Sequence, residues 1–84
     1  MTTLTYISSS HGDWCAIYVD DKLHVEGHSI STWDWLHIIE NMDIQWTKQL
    51  EVDGGWLEGC GTFPLKLSDI PYDYIVQELS LIHI

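Results

Sequence analysis

The run Trp14-Cys15-Ala16-Ile17-Tyr18-Val19 offers water nothing except the hydroxyl of Tyr18. Side chains of a strand alternate between its two faces, so this strand is apolar on both. A chain that contains it must cover the strand on each side, in the middle of a sheet, or present its aromatics to a partner. Asp20-Asp21-Lys22 follows as a tight turn, and Leu23-His24-Val25-Glu26-Gly27 returns as the second arm of a hairpin. In that arm Leu23 and Val25 are expected inward, with His24 and Glu26 outward. The next segment supplies a cover for one face. Ser31 stands where a helix N-cap belongs, and Asp34 three residues later suits the positive helix start. Ile30 and Trp35 take the two positions of a hydrophobic staple. Trp35, Ile38, Ile39 and Met42 then repeat as one buried helical face, which predicts the chain's single long helix over about 31–42.

The remaining segments read mainly as strand. Leu4 to Ser8 makes a short first strand. Ile44 to Val52 alternates almost cleanly, with Ile44, Trp46, Leu50 and Val52 on one face and only Lys48 breaking the apolar row. Asp53-Gly54-Gly55 reads as a turn, and the glycines around Trp56 to Gly61 allow at most one helical turn. Ser68 to Tyr74 is another turn, and Tyr74 to Gln77 a last short strand. The final residues, Leu79-Ser80-Leu81-Ile82-His83-Ile84, match one translated frame of a widely used transposase sequencing adapter. On that match 79–84 is expected to be a non-native tail and 1–78 a single domain. The expected fold is α+β: a small antiparallel sheet of about four strands with one helix packed on one face.

Charge bounds the partners. Thirteen acidic residues stand against Lys22, Lys48 and Lys66 alone, for a formal net charge of −10. Direct nucleic-acid binding is disfavoured, because a phosphate backbone repels such a surface. Basic surfaces attract it, although a charge of this size also serves solubility alone. No apolar run reaches the roughly 20 residues that span a membrane as a helix. Cys15 and Cys60 are too few for a disulfide framework, so a reducing cytoplasm is expected.

Few side chains group as chemistry would require. His24, Glu26 and His28 are zinc-ligand types, but same-face neighbours on a strand lie roughly 6.5–7 Å apart, so a straight strand cannot wrap all three around one ion; two of them with Cys60 or His37 are the remaining metal-binding alternative. Cys15 sits within an apolar strand, where a thiol acts as a small hydrophobe. Asp20 and Asp21 diverge in their turn, and neither Asp53-Gly54-Gly55 nor Gly59-Cys60-Gly61 has the lysine of a phosphate loop. No enzyme, cofactor or metal is expected. The aromatic set is more pointed. Five Trp and four Tyr exceed what one small core buries; Trp33 lies off the helical stripe, and exposed Trp and Tyr favour interfaces.

Gly12-Asp13-Trp14, Tyr18-Val19-Asp20-Asp21-Lys22-Leu23 and Glu26-Gly27-His28-Ser29-Ile30-Ser31 resemble short uncharacterised reading frames of phages and bacteria. In size, acidity and apparent mobile-element origin the chain resembles anti-CRISPR proteins. That group shares no motif, so the likeness is one of class and transfers no residue. It implies a non-enzymatic inhibitor in a bacterial cytoplasm, bound to the basic nucleic-acid-binding surface of an RNA-guided defence nuclease. Carboxylates would stand where phosphates sit. The candidate contacts are Asp20, Asp21, Glu26, Asp53, Glu58, Asp69 and Asp73, from turns and outward positions, with Trp14 and Tyr72 as aromatic anchors. The alternative is a small adaptor domain, a homo-oligomer that self-associates through exposed aromatics.

Overall fold

The computed structural model describes residues 2–12 and 14–83, with side chains described as far as Glu78; Asp13 and the side chains of 79–84 lie outside the described residues. The strands are β1 (Thr2–Ser9), β2 (Cys15–Val19), β3 (Lys22–Gly27), β4 (Ile44–Val52) and β5 (Ile75–His83), and the helices are α1 (Thr32–Asn41) and α2 (Gly54–Cys60). One sheet takes all five strands in the order β3-β2-β1-β4-β5. The α+β class holds, with two corrections of detail. There is a fifth strand's worth of sheet, and the sheet is mixed: β1 runs antiparallel to β2 but parallel to β4. The parallel pair follows from the route of the chain. Since β2 reverses into β3, the β3-α1-β4 segment is a crossover between parallel strands, and such a connection needs a helix-length excursion.

The doubly apolar second strand is buried on both sides, as its sequence requires: Cys15, Ala16, Ile17 and Tyr18 are all buried. Two cores result. On one face Leu4, Ile17 and Ile38 of α1 meet, with Tyr6, Val25, Ile30, Trp35, Met42 and Ile44 around them. On the other, Ile7, Ala16, Tyr18, Leu50 and Val52 pack against Leu57 of α2 and against Phe63 and Ile70.

α1 starts as expected. The Ser31 hydroxyl accepts from the Asp34 backbone N–H at 3.2 Å and donates to its carboxylate at 2.9 Å. Ile39, expected inward, is exposed, because it lies roughly 100° around the helix from Ile38 and a lone helix on a sheet buries only a narrow stripe. Two register shifts correct the expected faces. Val25 pairs with Ile17 but Leu23 pairs with Tyr18, so His24 is an extra residue between them. This bulge sends Leu23 to the Tyr18 core and Val25 to the α1 core. A shift near Gln45 likewise places Ile44 against α1 while Leu50 and Val52 face the other way.

The second face is covered by α2 and an irregular segment. Asp53 caps α2, accepting from Gly55 and Trp56 N–H at 2.8 and 3.3 Å, so this helix is longer than the single turn expected. Gly54 is required there: a Cβ would run into the ring and Cβ of His11 and lie 2.8 Å from its backbone N. Gly61 ends the helix with φ of 80°. The chain then crosses the sheet. Tyr18 Oη donates to Pro64 O at 2.6 Å, Leu23 N–H to Leu65 O, and Leu67 N–H to Asp21 O. Two 3-10 turns, Leu67–Asp69 and Tyr72–Tyr74, lead into β5, with Asp53 N–H donating to Tyr74 O at 2.8 Å.

Thr5 is fully buried in the central strand, and its hydroxyl has no hydrogen-bond partner among the described residues. Thr5→Val keeps the shape and removes the unsatisfied group, so it is expected to stabilise the fold by about 1 kcal/mol, read as a higher urea midpoint at unchanged slope.

The backbone of β5 pairs with β4 through Gln49↔Ser80, Lys48↔Leu81, Thr47↔Ile82 and Trp46↔His83. Deleting 79–84 bares that stretch of β4. Its loss is expected to lower the melting temperature by about 4–8 °C or more, the effect of roughly 1 kcal/mol in a domain of this size. An unchanged value would mean that 79–84 behaves as the appended tail its adapter match implies.

Candidate functional site

The carboxylates singled out from the sequence divide into two groups. In the first, each binds the chain's own backbone. Asp20, at φ of 56° in the hairpin turn, accepts from Thr3 N–H at 3.0 Å. Asp21 accepts from both the N–H and the hydroxyl of Ser68, at 2.7 and 3.0 Å. Glu26 was expected outward, but it is half-buried and reaches over the second face. There it accepts from Thr62 Oγ1 at 2.7 Å and Phe63 N–H at 3.0 Å. The cause is its pairing with Ala16, whose side chain belongs to that core. Asp53 is the half-buried cap of α2. In the second group Glu58 lies 3.7 Å from the His11 ring, and Asp69 and Asp73 stand exposed on the irregular cover.

Burial pushes the Tyr18 phenol well above its ordinary value, and the charges of Glu26, Asp21 and Asp69 push it further. The two aromatic anchors part company. Trp14 is half-buried and meets Phe63 edge-on, ring centroids 5.7 Å apart. Tyr72 is 85% exposed, and next to it Tyr74 stacks on Trp56 at 5.3 Å. Tyr72 with Asp73 and Asp69 is thus the part of the expected contact set that stands free of the fold's own hydrogen bonds.

His24, Glu26 and His28 are dispersed by the same bulge. His24 stacks on His37 of α1 at 5.9 Å with ring planes 10° apart. Parallel stacked rings cannot both hold one ion in plane, as a metal-bound imidazole must. His28 lines a groove elsewhere, and Glu26 is committed to Phe63. Among the described residues no group of three His, Cys, Asp or Glu is arranged to hold a metal ion.

Two surfaces were not anticipated. The first is a groove of about 570 Å³ on the α1 side of the sheet, floored by Leu4, Tyr6, Cys15, Thr47 and Gln49 and walled by Trp14, Ile30 and Trp35. A helix of 10 residues is about 15 Å long, whereas β1 with 8 residues runs about 27 Å, so part of this face stays open. The expected lengths, a strand over Leu4 to Ser8 and a helix over 31–42, are nearly equal and hid that mismatch. Trp35 lies on Tyr6 at 6.2 Å, Cys15 Sγ donates weakly to Gly27 O at 3.5 Å, and the Tyr6 phenol is pushed up by burial first and then by Cys15. The groove suits an apolar or aromatic group with a hydrogen-bonding edge. The second surface is the outer face of α1. Trp33, Leu36 and Ile39 are 81%, 41% and 67% exposed, beside a shallow depression formed with Asp34, His37 and Glu40.

Comparison with protein-family models, curated proteins and solved structures finds no match for this chain.

Glu26→Ala removes the acceptor for Thr62 and Phe63 and leaves a backbone N–H at the edge of the core unpaired. It is expected to destabilise the fold by about 1–3 kcal/mol, with amide exchange at Phe63 accelerating more than at Ile38.

Proposed function

We propose that the chain is a non-enzymatic inhibitor that binds the basic, nucleic-acid-binding surface of a partner protein, as an RNA-guided defence nuclease of bacteria presents. The observation that carries this reading is charge left unneutralised. The net charge is −10, and among the described residues none of the three lysines forms a salt bridge with a carboxylate. A surface of this kind steers toward cations and competes with phosphate for them. Tyr72 supports a contact on the cover, since an aromatic held by short 3-10 turns beside Asp73 and Asp69 can enter a pocket at little entropic cost. Asp20, Asp21, Glu26 and Asp53 act first as internal anchors, so they hold the contact face in shape. No helix of the described residues is long and apolar enough to cross a membrane, and a bacterial cytoplasm is the compartment this reading places it in.

The test is binding to guide-loaded nucleases of this class as a function of salt, with target DNA as competitor. Affinity is expected to fall steeply once the Debye length shrinks from about 10 Å at 0.1 M to about 3 Å at 1 M. An Asp69→Lys, Asp73→Lys pair should mainly slow association, and Tyr72→Ala should mainly speed dissociation. A complex that persists at about 1 M salt and still binds its DNA would exclude mimicry. Assembly of the chain with itself that strengthens with salt would favour the adaptor reading instead.

A further inference from the structure

We infer that the outer face of α1 is a docking site for a basic amphipathic helix, whose apolar row lies on Trp33, Leu36 and Ile39 and whose Lys or Arg side chains meet Glu40 and Asp43. This site is on the opposite side of the sheet from Tyr72 and Asp73, since α1 and the irregular cover pack against opposite faces. It therefore stands apart from the surface assigned to the nuclease.

The apolar part comes from helix geometry. Residues three apart fall along one stripe, and Trp33, Leu36 and Ile39 form such a stripe on the side away from Ile38. A surface helix ordinarily gives that side polar residues, and an exposed apolar row framed by charge marks an interaction face. From Trp33 to Glu40 the row is roughly 10 Å long, about two turns of a helix laid beside it.

The charge selects the occupant. The last turn of α1 contains no basic residue, Glu40 is exposed there, and Asp43 is exposed just beyond the cap. A helix C-terminus carries partial negative charge and is stabilised by cations, so acidic residues at this end work against the helix unless a cation arrives from outside. Among the described residues the chain does not supply one, since none of Lys22, Lys48 and Lys66 forms a salt bridge with either carboxylate. A second copy is a poor occupant, because it carries the same net charge of −10 and has only three lysines to offer these carboxylates. An anionic membrane is repelled for the same reason.

The probe is a fluorescently labelled amphipathic helical peptide of leucine and lysine, titrated by anisotropy against the full chain. Trp33→Ala is expected to weaken binding about tenfold or more, and Glu40→Lys with Asp43→Lys to weaken it similarly at low salt. Tyr72→Ala with Asp73→Lys is expected to leave it within about twofold, because those residues are remote. Trp33 is exposed enough that its truncation leaves the melting temperature unchanged, which separates lost docking from lost fold. Equal binding by wild type and Trp33→Ala would overturn the inference, as would equal binding of a lysine–glycine peptide that has no apolar row. Sedimentation showing a dimer that dissociates in Trp33→Ala would replace the basic helix by a second copy and overturn it too. None of these outcomes bears on nuclease binding through Tyr72, so the two proposals fail separately.

Discussion

An irregular segment laid over a sheet brings backbone N–H groups that no ladder or helix satisfies, and burying them unpaired is costly. The second face of this sheet depends on how that demand is met. One helix covers one side, and β2 is apolar on both, so the other side has to be closed by α2 and the loops that follow it. Carboxylates of β3, of the β2–β3 turn and of the residue after β4 accept the stray donors: Glu26 takes Phe63, Asp21 takes Ser68, and Asp53 takes the first turn of α2. Tyr18 adds the reciprocal bond, giving its proton to Pro64 O from inside the core. A charged acceptor makes a stronger hydrogen bond than a neutral one, which suits a cover that has little regular structure of its own.

This changes how the acidity is understood. A net charge of −10 reads at first as a surface aimed wholly outward. Several of those charges instead bind backbone and set the shape of the cover. Among those that bind no backbone, Asp69 and Asp73 lie near Tyr72 on one side of the sheet, and Glu40 and Asp43 lie near the apolar row of α1 on the other.

Most of the fold was legible from residue pattern. The Ser31 cap, the Ile30–Trp35 staple, the β2–β3 hairpin and the doubly buried second strand all follow from local spacing. What spacing could not reveal was non-local. Nothing in Ile44 to Val52 says that the strand lies parallel to β1, since that depends on where the crossover lands. His24 looks like an ordinary outward residue until its extra place in the ladder reverses the faces of Leu23 and Val25. Glu26, and with it part of the candidate site, was misread because the face it shares with Ala16 is covered by Thr62 and Phe63. Asp53 has the ordinary residue type of a cap, but the glycines after it masked a helix held in place by Leu57. Trp33 was visible as off-stripe; Ile39, which extends its row, was hidden by the assumption of a wider buried face, and Leu36 was assigned to neither face.

The central strand of the sheet, β1, precedes the other four strands in the chain and is synthesised before them. β1 finds β2 at once through a short hairpin, but its other edge stays bare until β4 is made, and the Tyr18 face stays uncovered until Phe63 and Ile70 arrive. Bare edges and apolar faces are what join unfinished chains to one another. During that interval Asp21 and Glu26 still lack the donors of the cover that they bind in the finished fold, and their charge, with that of Asp20, Asp34 and Glu40, repels other copies of the chain.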